Sequence, residues 1–86
     1  MARYRLRIKP SAVREIEAIP QKAQRQRVVS RIRQLADNPR PPGAEKLSGA
    51  DKYRLRQGVC RIIYAVEDAD LVVYVVKVGH RSSVCR

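Results

Sequence analysis

Two stretches of this chain repeat one alternation. In RYRLRIK, residues 3–9, Tyr4, Leu6 and Ile8 alternate with Arg3, Arg5, Arg7 and Lys9. In KYRLRQ, residues 52–57, Tyr53 and Leu55 alternate with Lys52, Arg54 and Arg56. Successive side chains of a β-strand point to opposite faces of its sheet, so each stretch carries one apolar face and one cationic face. Such strands suit a sheet with one side covered and the other open. The open side is then basic on two separate strands, and a single sign of charge on both favours a binding surface over an ordinary solvated one.

Between these stretches the pattern changes period. Ser11 suits the N-cap of a short helix carrying Ala12, Val13, Ile16 and Ile19. Pro20 ends it and suits the first turn of a second helix. There Val28, Ile32, Leu35 and Ala36 recur at helical spacing, while Arg25, Arg27, Arg31 and Arg33 crowd the remaining surface. Asp37-Asn38-Pro39 stops that helix, and residues 39–50, with three prolines and two glycines, read as loop. After KYRLRQ, Gly58 marks a turn, CRIIYAVE a strand, and Asp68-Ala69-Asp70 another turn. LVVYVVKV, residues 71–78, is apolar on both faces and belongs inside the sheet. It stops at Gly79, leaving His80 and Arg81 just beyond it. The expected fold is α+β: a two-helix hairpin on one face of a small, mainly antiparallel four-stranded sheet, with residues 1–86 as a single domain. The basic open face would hold Arg3, Arg5, Arg7, Lys52, Arg54 and Arg56, joined by Arg61 and Lys77.

The charge agrees with that face. Lys and Arg number 19 against 8 Asp and Glu, a formal charge of +11 on 86 residues. Charge of one sign destabilises a compact chain by self-repulsion, so this excess predicts a polyanionic partner. No apolar stretch approaches the roughly 20 residues needed to span a bilayer, and the N-terminus has no apolar signal core, so the expected location is cytoplasmic, without a membrane partner. Cys60 and Cys85 are then expected as free thiols. Two cysteines and one histidine without close spacing make no metal site, and no cofactor is expected. All four tyrosines, Tyr4, Tyr53, Tyr64 and Tyr74, read as core residues, which disfavours a binder built on aromatic stacking.

No phosphate-binding glycine loop, dinucleotide fingerprint or Ser-His-Asp grouping is present. The chemistry left is that of cations: Lys46, Lys52, Arg54, Arg61, Lys77, His80 and Arg81. Cations can cut RNA, because the 2′-hydroxyl is a nucleophile built into the substrate. Fixed guanidinium groups stabilise the charge that grows on the phosphate. His80 is the only imidazole available as acid or base.

The order and spacing of YRLRIKPSAVREIEAIP, LADNPRPPGAEKLSG, YRLRQGVCRIIYAVED and VVKVGHRSSVCR resemble the RelE/ParE toxin superfamily, specifically its RelE-like branch. The R-x-x-Y of CRIIY and the closing G-H-R are the most specific pieces. The resemblance covers essentially the whole chain and implies the RelE-like, microbial-RNase type of fold. It also implies the toxin of a type II toxin–antitoxin pair, acting as a ribosome-dependent mRNA endonuclease that cuts A-site codons by 2′-hydroxyl attack without metal. Its partners would be the ribosome, mRNA and a cognate antitoxin that is acidic or wraps the toxin with an acidic and apolar segment. Carried over, Arg61 would stabilise the transition-state phosphate, and Arg81 would bind phosphate and help protonate the leaving group. Lys52 and Arg54 would form a basic pair on the sheet, with a lysine implicated as base; Lys46 is a weaker match to a basic loop. Arg56 and Lys77 would add RNA contacts. Where relatives often end in V-Y-R, this chain has Cys85 in place of the tyrosine. Its thiol could exchange a proton but cannot stack on a base. Two other readings are a ParE-like inhibitor of DNA gyrase without nuclease activity, and a basic RNA-binding module without catalysis.

Overall fold

A computed structural model describes residues 3–47 and 51–80 of the chain, His80 through its backbone. The elements follow in the order β1 (Arg5–Ile8), α1 (Pro10–Glu17), α2 (Lys22–Gln34), β2 (Glu45–Lys46), β3 (Lys52–Gln57), β4 (Cys60–Glu67) and β5 (Val72–His80). The fold is α+β, and the five strands form one mixed sheet in the order β1-β5-β4-β3-β2. The sequence pattern predicts four strands. The fifth, β2, is a two-residue edge strand inside the proline-rich loop, too short to show alternation.

The helices cover one face. Ala12, Ile16, Ile19, Val28, Ile32 and Leu35 pack against Leu55, Ile62, Tyr64, Val73, Val75 and Val78. Each fully buried aliphatic side chain contributes about 1.5–3 kcal/mol relative to exposure. Antiparallel pairing joins β2 to β3, β3 to β4 and β4 to β5, while β1 lies parallel to β5 with Arg5 opposite Val72 and Ile8 opposite Val75. Parallel neighbours need a crossover, and the helical hairpin begins it.

Three boundaries differ from expectation. Pro10 opens α1 after Lys9 at the N-cap, so Ser11 is inside the helix; the fixed φ of proline and its missing N–H suit that first position. Pro20 lies in the connection before the N-cap Gln21, outside α2. Strand β5 runs on through Gly79 to His80, because backbone pairing with β4 continues to Cys60.

Leu55, Tyr64, Val73 and Val75 are buried, whereas Arg5, Arg7, Lys52 and Arg56 on the other face are exposed. The one-sided alternation therefore describes the sheet correctly. Tyr64 is core, its hydroxyl donating to the Pro39 carbonyl at 2.7 Å, and Tyr53 stacks on it at 5.7 Å between ring centres. Tyr4 and Tyr53 are partly buried against the core. Tyr74 departs from the expectation: it is 36% exposed, because its place in the β5 register, opposite Ala65, puts it on the open face.

Candidate nucleic-acid interface

Strand β4 alternates cleanly. Cys60, Ile62, Tyr64 and Val66 lie beneath the helices, so Arg61, Ile63, Ala65 and Glu67 face the other way. Strand β3 has the same phase, with Leu55 buried and Arg56 exposed. The turn at Gly58 fixes the register between them and sets Arg56 directly opposite Arg61. On its other side Arg61 is paired with Gly79 of β5. Residues opposed in an antiparallel pair have Cα atoms about 4.5–5.5 Å apart, and like charges so placed destabilise a sheet. Neither arginine forms an ion pair among the described residues. Glycine at 79 presents no side chain from β5, so the two exposed guanidinium groups, unpaired among the described residues, share a floor whose β5 side is buried backbone. That floor can take an anion bidentately.

The other expected cations are spread around this pair. Arg54 is diagonal to Arg61, but its Nε and Nη2 both donate to Glu45 Oε1, at 3.2 and 3.0 Å. Lys52 is opposite Ala65, on the same face but four residues along β3 from Arg56, about 13 Å at strand rise. Lys77 is opposite Ile63, and its Nζ lies 3.4 Å from Glu15 Oε2. Lys46 is opposite Tyr53 and so falls on the helix-covered side of the sheet, away from Arg61; the phase of β2 could not be read from two residues. His80 ends β5 opposite Cys60, within the strand instead of beyond it. Arg81 and Cys85 lie outside the described residues.

Two features of this end were not anticipated. The first is a bulge. Ile63 pairs with Lys77 but Tyr64 with Val75, so Val76 is an extra residue in β5. Bulges re-aim strands and recur beside active sites. The second is Glu15, whose Oε1 accepts the Val78 N–H at 2.8 Å. Strand β1 has ended by this point, and a carboxylate from α1 satisfies the edge of β5 where a strand would otherwise lie.

The far end of the sheet carries a cluster of its own, centred on the Asp68 carboxylate. Asp68, just past β4, accepts two guanidinium bonds from Arg40, at 3.2 and 2.8 Å, and the Tyr4 hydroxyl at 2.6 Å. Arg40 Nε also donates to the Tyr53 hydroxyl at 2.8 Å. These bonds, that from Arg40 first, hold the Asp68 carboxyl below its usual range, and the bond to Asp68 raises the Tyr4 phenol. The cluster ties the loop after α2 to the β4–β5 turn. Cys60 is a buried free thiol that burial pushes up, which keeps it from acting as a thiolate nucleophile. Among the described residues no group of three His, Cys, Asp or Glu is placed to hold a metal ion. A hollow of about 510 Å³ between the helices, lined by Ile16, Lys22, Arg25, Val29 and Arg33 among others, is on the opposite side from the Arg56–Arg61 floor.

A helical hairpin thus backs one face of a small mixed sheet, and the other face bears exposed arginines. Residues 6–84 match the family described as the ParE toxin of the type II toxin–antitoxin system parDE, and the chain belongs to that family, within the RelE/ParE superfamily. It is 34% identical over 82 residues to a RelE-like toxin protein of Escherichia coli, covering 92% of this chain and 84% of that one. Among solved structures it is similar to the toxin–antitoxin complex RelBE2 of Mycobacterium tuberculosis, with a TM-score of 0.81, 25% identity and 95% of each chain covered. It is similar also to the archaeal RelE–RelB complex of Pyrococcus horikoshii, with a TM-score of 0.78, 30% identity and coverage of 94% and 97%.

Proposed function

We propose that this toxin is a ribosome-dependent mRNA endonuclease. The observation that carries the reading is the pairing of Arg56 with Arg61 across β3 and β4, beside Gly79 and without a carboxylate partner among the described residues. A fold tolerates facing like charges where an anion is to be bound. In the reaction, the 2′-oxygen of the substrate ribose attacks the adjacent phosphorus. The bond to the 5′-oxygen breaks, leaving a 2′,3′-cyclic phosphate and a free 5′-hydroxyl. One proton leaves the 2′-oxygen and one is delivered to the 5′-oxygen. Arg61 stabilises the charge that grows on the phosphoryl oxygens, and Arg56 holds the phosphate. Lys52, Arg54 and Lys77 bind flanking RNA, Lys52 standing too far along β3 from Arg56 to serve as the base on the nucleotide held there. Arg81, His80 and Cys85, which follow Gly79 in the sequence, are assigned to the proton transfers and to the leaving-group side.

The solved relatives are bound to RelB-type antitoxins, and this chain is assigned a partner of the same kind, acidic or with an acidic and apolar segment that wraps it. A second reading has its own observation: the family match is to ParE toxins, which favours inhibition of DNA gyrase without cleavage.

Toeprinting in a translating extract, run beside a gyrase supercoiling assay, separates the two. The nuclease reading expects new mRNA ends within A-site codons only when ribosomes are present, lost with Arg61→Ala and increased with Cys85→Tyr. Inhibited supercoiling with intact mRNA, for the chain as given and for Cys85→Tyr, would replace it with the gyrase reading.

A further inference from the structure

Three of the four tyrosines are used by the fold. Tyr4, Tyr53 and Tyr64 each engage their hydroxyl with Asp68, Arg40 or Pro39. Tyr74 has no such partner among the described residues and stands on the open face. Its neighbours there are set by register: Arg7 of β1 on one flank and Ala65 of β4 on the other, with Arg5 beside Val72 one step along. Directly opposite the ring β4 offers only the Ala65 methyl group, and the ring stays partly open to solvent. Arg5 and Arg7 are exposed and form no ion pair among the described residues.

We propose that Tyr74 is a base-stacking subsite for single-stranded RNA crossing the open face, holding a nucleotide a few positions from the scissile phosphate while Arg5 and Arg7 bind the adjoining phosphates. The inference rests on the reading that the substrate is RNA, and adds a second contact region to the Arg56–Arg61 floor. Geometry supports the separation. Arg61 pairs with Gly79 and Ala65 with Tyr74, so the ring lies four β4 residues from Arg61, about 13 Å at roughly 3.3 Å per residue. Chemistry supports the occupant. Every base has a π-face, and stacking on an exposed aromatic flanked by arginines is how sheet surfaces hold single strands without reading sequence. The apolar ground is narrow: Tyr74, Ala65 and Ile63 lie between strands bearing Arg5 and Arg7 on one side and Lys52, Arg54 and Arg56 on the other. A base with its phosphates fits that layout, whereas a docked protein helix needs a broader apolar stripe.

The test is an abasic scan. Short single-stranded RNAs, each lacking one base at a successive position, are titrated against the full chain by fluorescence anisotropy, and the same scan is run as single-turnover cleavage on programmed ribosomes. The unaltered protein is expected to lose affinity at one position several nucleotides from the cut. Tyr74→Ala should bind the complete RNA about ten- to a hundredfold more weakly and become indifferent to the missing base, while Tyr74→Phe keeps both properties. Should Tyr74→Ala fail to fold, the scan on unaltered protein and on Tyr74→Leu still decides. If RNA is bound and cut but no position away from the cut is sensitive, or Tyr74→Ala matches the parent, the subsite is overturned and the nuclease reading stands. If the unaltered protein neither binds nor cuts RNA, that reading falls and takes the subsite with it. If Tyr74→Ala binds RNA normally but loses an acidic protein partner, the face is a protein surface and the subsite is overturned.

Discussion

Glu15 Oε1 accepts the backbone N–H of Val78 at 2.8 Å, and Glu15 Oε2 lies 3.4 Å from Lys77 Nζ. One carboxylate from α1 thus fastens β5 directly after its bulge, two residues before His80. Glu15→Ala leaves the Val78 N–H without its acceptor and is expected to cost about 1–3 kcal/mol. Lys77→Ala removes only an exposed ion pair and should cost less than about 1 kcal/mol. Hydrogen exchange checks the cause: the Val78 amide should be protected in the parent and exchange quickly in Glu15→Ala. Equal protection in both would assign the bond no structural role.

The facing guanidinium groups of Arg56 and Arg61 predict a trade between stability and activity. Arg56→Gln relieves a like-charge pair and should stabilise the fold by about 0.2–1 kcal/mol in urea denaturation. Arg61→Ala should lower single-turnover cleavage by about 10²–10³. Saturating the ribosome with protein should rescue Arg56→Gln and not Arg61→Ala, because only the second removes stabilisation made in the transition state. Rescue of both would reduce Arg61 to a phosphate anchor.

Alkaline pH should test the core through Tyr64. Burial pushes its phenol up to about 12, whereas an unfolded tyrosine ionises near 10. The folded state therefore keeps a proton that the unfolded state gives up. This contribution is complete below about pH 10 and is lost as pH rises through about 12. Tyr64→Phe should flatten that alkaline fall. At neutral pH it should cost about 1–3 kcal/mol, because the buried Pro39 carbonyl loses its donor. Denaturation curves on both sides of pH 10 report both effects.

Of the three described positions at positive φ, Gly43, Gly58 and Leu71, the last two predict opposite signs. Gly58, between β3 and β4, sits at +60°, and a Cβ there would meet the Gln24 side chain at 3.1 Å. Leu71, before β5, sits at +53° with a full side chain. Gly58→Ala should destabilise by about 1–2 kcal/mol and Leu71→Gly should stabilise by up to about 1 kcal/mol, since the left-handed region disfavours any residue with a Cβ. Thermal unfolding of both variants is the measurement, and the same sign for both would refute the strain at Leu71.

Much of the sheet was legible because β3 and β4 alternate without interruption, bounded by Gly58 and Asp68. The Arg56–Arg61 pairing follows from that short turn and the phase of Leu55 and Ile62. Other features leave no such trace. The bulge at Val76 lies in a run of valines that looks alike in either phase; without it Tyr74 and Lys77 fall on opposite faces, so a pattern that sets Lys77 outward sets Tyr74 inward. The pattern therefore reads Tyr74 as core. A two-residue strand has no period from which the phase of Lys46 can be read, and the bond from Glu15 to Val78 joins positions that no local rule connects.

The parallel pairing of Arg5 with Val72 has a kinetic consequence. Strands β3, β4 and β5 follow one another through short turns and can zip as a meander, whereas β1 must wait for a partner made almost a whole chain later. Closing so long a loop delays the contact. During synthesis the first strand to emerge is the last to be seated, and α1, which follows it directly, cannot dock fully on β5 before then. In pulse-labelled refolding the amides of β1 that pair with β5 should gain protection after those of β3 and β4. Because Glu15 rides on α1, the clamp on Val78 closes in that same late step, and the sheet becomes rigid beside Arg61 only when the two ends of the fold have met.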